Sequence, residues 1–204
     1  MNIEKYELTK KGKYNIYLSN GEVVELDERV ITENELLLKK KIDTGLYNKI
    51  INENIVFDMI DTAIKYIGIR LRSIREINDY LNKKFENTEL EKKAVDKLIK
   101  LGYLDDDKFA KAFIKDKFRF TSMGDYKIIM ELERLGVSSE IIEDNIYIID
   151  ASMLEEKMKK QTDKIINTNR KYDGQVLKNK IYTILVLSGF SKDKVLTFLN
   201  TYNF

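Results

Sequence analysis

One turn between two helices occurs twice in nearly the same residues, and this repetition constrains the fold more than any other feature. The pattern L-x-x-x-G-V-S-x-E-x-I covers residues 132–142, and L-x-x-x-G-F-S-x-D-x-V covers residues 185–195. In each copy, a glycine can end one helix in a left-handed conformation and a serine can cap the next helix. The sequence therefore predicts two copies of one helical unit. The paired positions are Gly136 with Gly189 and Ser138 with Ser191.

The helix that precedes this turn also has equivalents along the chain. Ser73 and Gly124 each come just before a stretch with apolar residues at helical spacing, and a third such stretch lies near residue 181. The spacing of about 50 residues is longer than most two-helix repeats, so three-helix modules fit better. In the repeat that begins at Ser73, Phe85 stands where the two later repeats have a glycine, and Thr88 is the expected cap of the next helix. The matching apolar pairs are Ile77 with Leu81, Ile128 with Leu132, and Ile181 with Leu185.

The first 62 residues differ from the rest. Two alternating segments, Lys13 to Ser19 and Glu22 to Leu26, flank Asn20-Gly21, which is a strong hairpin signal because both residues accept positive φ. Ile3 to Leu8 can add a third strand. A sheet this small is expected to lean on the next helix.

These patterns predict a mainly α fold of tandem three-helix, helix-turn-helix-like repeats in an elongated array, with a small N-terminal β-hairpin or three-stranded sheet. The expected divisions are 1–62 for the β segment and short helices, then 63–104, 105–150 and 151–204 for the three repeats. After the sheet, the sequence predicts a helix that begins at Thr32 and a break at Gly45. A short helix around Tyr47 and a longer helix from Val56 are expected to follow, and the longer helix continues into the first repeat.

Helix ends can be placed from capping signals. Gly102 suits a left-handed helix stop, and Asp105 and Asp106 suit the N-terminus of the next helix. Phe109 and Ala110 then begin its apolar face. Four serine or threonine residues stand three positions before a glutamate, the spacing of a capping box. They are Ser73 with Glu76, Thr88 with Glu91, Thr32 with Glu35, and Ser152 with Glu155.

The composition argues against an enzyme. The chain has no cysteine and no histidine, which excludes thiol nucleophiles, Ser-His pairs and zinc sites of the usual kind. No P-loop and no G-x-G-x-x-G after a strand occurs, and no cofactor is expected. The consecutive carboxylates Asp105, Asp106 and Asp107 could hold Mg²⁺ in a nuclease, but helix capping explains them better. We expect a cytoplasmic monomer with no membrane segment, since no run approaches roughly 20 apolar residues.

Charge is balanced overall and uneven along the chain. The formal net charge is +2, and the four divisions carry −3, +4, −4 and +5 in order. Arg70, Arg72 and Arg75 flank the Ser73 helix start, and arginine suits planar contacts to phosphate or carboxylate. They could equally pair with Glu76 or Asp79. Tyr80, Phe118 and Phe120 could stack on bases or belong to the core. The remaining candidates for partner or DNA contact are Lys83, Lys84, Arg119, Lys127 and Arg134.

Three segments in order resemble the RecX family, regulators of the RecA recombinase. They are R-x-R-S at 70–73, L-x-x-L-G-Y-L-D-D-x-x-F-A at 98–110, and M-G-x-x-x-I-x-x-E-L-x-x-x-G-V at 123–137. The resemblance is good over residues 63–146 and weak in the last third. It implies a protein that binds the RecA filament on DNA, along its helical groove, and limits recombinase, ATPase and co-protease activity in DNA repair and the SOS response.

Two other functions remain open from the sequence. Three-helix modules with short turns are typical of independent DNA-binding proteins, in which a helix enters the major groove. A metal-dependent nuclease built on Asp105 and its neighbours is a weaker alternative. Under the first hypothesis the partners are the RecA filament and, weakly or through it, single- or double-stranded DNA.

Overall fold

The computed structural model describes residues 1–10 and 12–202. Within these residues the chain forms three strands and ten helices, mainly α, and no helix is long and apolar enough to cross a membrane. The strands are β1 Ile3–Leu8, β2 Lys13–Leu18 and β3 Val23–Asp27. The helices are α1 Glu28–Glu33, α2 Thr44–Ile67, α3 Ile74–Phe85, α4 Thr88–Lys100, α5 Asp106–Phe120, α6 Asp125–Arg134, α7 Ser139–Ile146, α8 Ala151–Thr168, α9 Gly174–Leu187 and α10 Lys192–Thr201.

The chain divides into two compact units. The first contains Met1–Leu71 and Ile77–Leu104, and the second contains Arg72–Glu76 and the chain from Asp105 onward. The first turn of α3 therefore belongs to the second unit and the rest of that helix to the first.

In the first unit, the three strands form an antiparallel sheet in the order β1-β2-β3. Polar contacts hold it to α2, as a sheet of this size requires. The Lys13 ammonium lies 2.5 Å from the Asp58 carboxylate, and the Asn54 side chain accepts a hydrogen bond from the Asp27 backbone N–H at 2.8 Å. The predicted third strand is confirmed. The predicted hairpin is confirmed, and in the β2–β3 turn Gly21 has positive φ, at +85°, whereas Asn20 does not.

Two helix predictions in the first unit are wrong. Asp27, not Thr32, caps α1, and the Thr32 hydroxyl donates back to the Glu28 carbonyl from inside the helix. Residues 34–38 form turns. The short helix predicted around Tyr47 and the longer helix predicted from Val56 are one helix, α2, of 24 residues capped by Asp43, and Gly45 lies in its first turn and does not break it. A glycine in the first helical turn disturbs the backbone hydrogen bonds little, since the first N–H groups have no intrahelical partner.

Helix α4 packs against α2, and its apolar face includes Ala94, Val95 and Leu98. Its cap is Asn87, whose side chain accepts from the Leu90 N–H at 3.1 Å, so the prediction of Thr88 as the cap is wrong by one residue. The residue before it, Glu86, has φ +51°, so Glu86 and not the predicted Phe85 takes the left-handed conformation that glycine has in the later repeats.

The second unit contains two three-helix cores. Helices α5, α6 and α7 enclose one core, and α8, α9 and α10 enclose the other. Phe118 and Ile149 pack against both. The first core consists of Phe109, Ala110, Ile114, Ile128, Leu132, Val137 and Ile142. The second consists of Leu154, Met158, Ile165, Ile181, Leu185, Phe190, Val195, Phe198 and Leu199.

The helix ends of the repeats follow most of the sequence signals, and the further departures are at Ser191 and Ser152. Gly102 in the first unit, and Gly136 and Gly189 in the second, all have positive φ, as predicted for helix stops. Ser138 caps α7 through its side chain, whereas Ser191 occupies the cap position of α10 without a side-chain hydrogen bond. The prediction that Ser152 begins α8 is wrong, because Asp150 caps this helix through the Met153 N–H at 2.8 Å.

The mainly helical fold with helical repeats and a small N-terminal sheet is thus confirmed. The proposed divisions at 62/63, 104/105 and 150/151 stay predictions; residue 63 lies inside α2, and residues 203 and 204 lie outside the described part of the third repeat.

Candidate functional site

The predicted capping box at the start of α3 is present. The Ser73 N–H donates to a Glu76 carboxylate oxygen, and the Glu76 N–H donates to the Ser73 hydroxyl, both at 3.2 Å. The Arg72 guanidinium lies 3.3 Å from the same carboxylate, and the two side chains are only 10% and 16% exposed. Arg72 therefore stabilises the helix start, which is the internal pairing that the sequence left open.

The same helix start rests on the turn that follows α6. The buried Ser73 hydroxyl donates to the Leu135 carbonyl at 2.7 Å. The Ile74 N–H donates to Asp106 at 2.9 Å. A Cβ added at Gly136 would lie 2.6 Å from Arg75 Cβ, so the glycine is needed for this close approach.

An equivalent contact connects the start of α6 to the turn after α9, and we call each of these contacts between a helix start and a later turn a joint. The Gly124 N–H donates to the Ser188 carbonyl at 2.9 Å, and the Lys127 N–H donates to the Gly189 carbonyl at 3.2 Å. A Cβ on Gly189 would lie 2.1 Å from Lys127 Cβ, and one on Gly124 would lie 2.4 Å from the Gly189 carbonyl oxygen. Nearby, Lys194 pairs with the buried Asp125 at 2.5 Å.

The two joints have the same construction, which explains why the glycine turn is repeated. Ser188 precedes Gly189 as Leu135 precedes Gly136, and each carbonyl accepts a hydrogen bond from the start of an earlier helix. The stems of Arg75 and Lys127 contribute to these joints, while both residues remain exposed. They are structural residues as well as candidates for partner contact.

The other predicted basic residues are exposed. Arg70, which belongs to the first unit, is exposed and donates to the Leu71 carbonyl. Lys83 and Lys84 are exposed at the end of α3, and Lys84 lies 5.7 Å from the Tyr80 ring centroid. Tyr80 itself stacks on Tyr66 at 4.1 Å between centroids. In the second unit, Arg134 is exposed and pairs with Glu131 at 3.0 Å.

The three consecutive aspartates have separate partners. Asp105 caps α5 by accepting a hydrogen bond from the Lys108 N–H. Asp107 accepts hydrogen bonds from the side chains of Lys111 and Asn145, both within 2.8 Å. Desolvation raises the pKa of Asp106, whereas the hydrogen bond from Lys111 lowers the pKa of Asp107. Among residues 1–10 and 12–202, no group of three or more histidine, cysteine, aspartate or glutamate side chains is arranged to hold a metal ion.

Arg119 borders a cleft that the sequence did not predict. The cleft has a volume of about 720 Å³ and lies between the end of α5, the α5–α6 connection and one face of α8. Five basic side chains and one acidic side chain line it. They are Lys115, Arg119, Lys157, Lys160, Lys164 and Glu156.

Lys157, which lines the cleft from α8, contacts the segment at the end of α5. Its ammonium donates to the carbonyls of Phe118 and Met123, both at 2.6 Å, and lies 4.1 Å from the Phe118 ring centroid. Burial lowers the pKa of Lys157 to about 8. Gln161 donates to the Ser122 carbonyl at 2.9 Å, so two side chains of α8 hold the connection between α5 and α6.

A helical stripe in the sequence could have indicated this cleft. Lys157, Lys160 and Lys164 follow the i, i+3, i+7 spacing of one helix face. The stripe is a weak signal by itself, because the residues that complete the cleft come from α5, about 40 residues earlier.

Relatives of known family match nearly the whole chain. A regulatory protein RecX from Finegoldia magna is 33% identical over 202 residues, which cover 95% of this chain and 96% of the relative. One from Clostridium botulinum is 29% identical over 94% of this chain and 91% of the relative. One from Lactobacillus johnsonii is 33% identical over 141 residues, and there the match spans only about half, 52%, of the relative.

A family model and solved structures agree with these relatives. The model described as "RecX, second three-helix domain" matches residues 105–144. A crystal structure of a regulatory protein RecX superposes with a TM-score of 0.86 over 98% of both chains at 21% identity. RecX from Lactobacillus salivarius superposes with a TM-score of 0.67 over 71% of this chain and 94% of that chain, at 23% identity. The structures support the fold, and the relatives show that this chain belongs to the RecX family of regulatory proteins.

Proposed function

We propose that this protein binds the filament that a RecA-type recombinase forms on DNA, and that it inhibits the recombinase, ATPase and co-protease activities of that filament. The observation that carries the proposal is the 33% identity to a regulatory protein RecX over 95% of this chain. A row of helical repeats with blocks of alternating charge also suits a partner that presents both protein and DNA. The protein then acts as a binding partner and not as an enzyme.

The ATPase rate of a RecA-type recombinase on single-stranded DNA tests this directly. With the protein titrated in, we expect the rate to fall and to saturate at a fixed ratio of protein to recombinase. A rate that stays constant at all ratios would contradict the proposed inhibition. The same titration without DNA is the control, since the filament and not the free recombinase is the proposed target.

Arg70, Arg72 and Arg75 are the proposed filament contacts. Arg70 and Arg75 are exposed, so replacing both with Ala should weaken filament binding at least tenfold, a loss of about 1.4 kcal/mol or more. Arg72 also pairs with Glu76, so its replacement tests stability as well as binding. A matched control replaces the exposed Arg170 and Lys192 with Ala. Equal binding by the Arg70/Arg75 variant and the control would remove these arginines from the interface.

Independent DNA binding by a helix-turn-helix unit is the second candidate. The α6–turn–α7 segment has the required connectivity, with Gly136 in the turn. However, α7 has no basic residue and exposes Glu140, Glu143 and Asp144, which phosphates would repel. Gel shifts with duplex DNA, with and without the recombinase, separate the two candidates, because only an independent DNA-binding protein shifts the duplex alone.

We further propose that the protein acts as a monomer in the cytoplasm. The absence of cysteine is compatible with a reducing compartment. Light scattering coupled to size exclusion tests the monomer, and a mass of about twice the 24.0 kDa of the chain would contradict it.

A further inference from the structure

We propose that the basic cleft between α5, the α5–α6 connection and α8 binds single-stranded DNA, with phosphates on Lys115, Arg119 and Lys164 and one base stacked on Phe120. This inference rests on the proposed function, because a recombinase filament is where such a protein would meet a single strand. It adds a binding site and the class of ligand that the site takes.

The charge of the cleft favours a polyanion. Glu156, the one acidic residue in the lining, already pairs with Lys160 at 2.5 Å. Lys157 is occupied by two backbone carbonyls. In the described part of the chain, Lys115, Arg119 and Lys164 have no carboxylate within salt-bridge distance, so three cations remain for phosphates. Such contacts release counterions and supply most of the affinity in nonspecific binding.

Phe120 gives the cleft an aromatic surface that folding does not use. It is the last residue of α5, and 72% of it is exposed, whereas Phe118 packs against both cores. The Arg119 guanidinium lies 5.2 Å from the Phe120 ring centroid. A base can stack on the phenyl ring with the guanidinium beside it, which is how sequence-tolerant single-strand sites combine aromatic and cationic groups.

The cleft is also held in shape before any ligand binds. The hydrogen bonds from Lys157 to the Phe118 and Met123 carbonyls, and from Gln161 to the Ser122 carbonyl, tie the segment around Phe120 to α8. A site formed in advance loses less conformational entropy on binding.

These features favour a single strand over the other polyanions. The bases of a duplex stack on one another and cannot stack on Phe120, whereas a single strand offers its base faces. An acidic protein segment could contact the cations but would gain little from the exposed ring. The strand therefore uses both features of the cleft.

Fluorescence anisotropy with a labelled oligothymidylate of about 15 nucleotides, near the upper site size of a single-strand-binding module, tests the site. Phe120→Ala should weaken binding roughly 5- to 150-fold through the lost stacking interaction. The double variant Lys115→Ala/Lys164→Ala should make the slope of log affinity against log salt shallower by about 1.4, at about 0.7 per phosphate contact on single strands.

Exposed residues outside the cleft provide matched controls. Tyr126→Ala removes an exposed aromatic ring from α6, and Lys159→Ala/Lys192→Ala removes two exposed cations from α8 and α10. Both controls should keep the affinity and the salt slope of the unmodified protein. Circular dichroism confirms that each variant is folded, which is expected because every replaced side chain is exposed.

Several results would overturn the proposal. The first is an absence of saturable binding to the oligonucleotide. The second is an equal loss of oligonucleotide affinity in the cleft variants and in the controls. The third is that a duplex of the same length binds as tightly as the single strand and that Phe120→Ala does not change its affinity. Binding of a polyglutamate peptide that the cleft variants abolish, while oligonucleotide binding stays normal, would assign the cleft to an acidic protein instead.

The outcome is separable from that of the proposed function. If the protein lowers the recombinase ATPase rate and the cleft variants still bind the oligonucleotide normally, the cleft is not the DNA site although the proposed function holds. If the protein leaves the ATPase rate unchanged and the cleft variants lose oligonucleotide binding, the cleft binds DNA and the regulatory function fails.

Discussion

Gly189→Ala should lower the free energy of unfolding in two ways, through the strain of a left-handed backbone and through the disruption of a joint between repeats. Comparison with Gly102→Ala separates the two costs. Gly189 has φ +91°, a region in which a Cβ costs about 1–2 kcal/mol. The new Cβ would also lie 2.1 Å from Lys127 Cβ and 3.0 Å from the Lys127 Cα and N. Because backbone atoms are involved, the start of α6 must move away from the turn, which costs about 1–3 kcal/mol more. We expect a total loss of about 2–5 kcal/mol.

Gly102→Ala is the matched control. Gly102 also ends a helix with positive φ, at +75°, but a Cβ there would meet nothing within 4 Å. Only the backbone cost applies, so we expect a loss of about 1–2 kcal/mol. The difference between the two variants, about 1–3 kcal/mol, is the contribution of the close approach at the joint.

Urea and thermal unfolding followed by circular dichroism measure both variants. A loss of 1 kcal/mol lowers the melting temperature of a chain of this size by about 2–4 °C, so the two variants should melt at least about 2 °C apart. Adding Lys127→Gly to Gly189→Ala removes the overlapping Cβ, and the double variant should recover most of the excess loss as a coupling energy. Equal melting temperatures for Gly102→Ala and Gly189→Ala would refute the reasoning.

Three further predictions concern single residues. Gly136→Val should lower the free energy of unfolding by on the order of 1–3 kcal/mol, because φ is +82° and the new Cβ would lie 2.6 Å from the Arg75 Cβ. The folded fraction should keep its affinity for the filament, and an unchanged melting temperature would contradict the predicted loss. Glu91→Gln should raise the stability at pH 7, because burial and then the Asp79 carboxylate raise the pKa of Glu91 and its charge costs stability above that pKa. The gain should vanish below about pH 4, the range of an unperturbed glutamate, and a gain independent of pH would exclude this cause. Arg72→Ala should cost about 1–3 kcal/mol by leaving the partly buried carboxylate of Glu76 without this ion pair, and the same unfolding measurements check it.

The sequence predicted the repeated helices and most of their ends because these depend on local chemistry. Ser73 with Glu76 forms the predicted capping box, and Gly102, Gly136 and Gly189 take the predicted left-handed conformation. Each signal needs only a few neighbouring residues, and apolar spacing identified buried pairs such as Ile77 and Leu81.

Local chemistry was insufficient where two residues compete for one role. Asn87 and Thr88 could both cap α4, and Asp150 and Ser152 could both cap α8, and in each case the earlier residue does so. Choosing between such neighbours depends on how the whole helix packs, because a shift of one residue rotates the apolar face by about 100°.

Only the tertiary structure decided how the repeats join and where the cleft lies. Gly124 approaches Gly189 across 65 residues of sequence, and Lys157 reaches the Phe118 carbonyl across 39. The sequence determined that a glycine stands at each turn and that a stripe of lysines follows α8. It did not determine what these residues meet, because a contact between distant segments requires both helices to be packed in place and leaves no periodic pattern in either one.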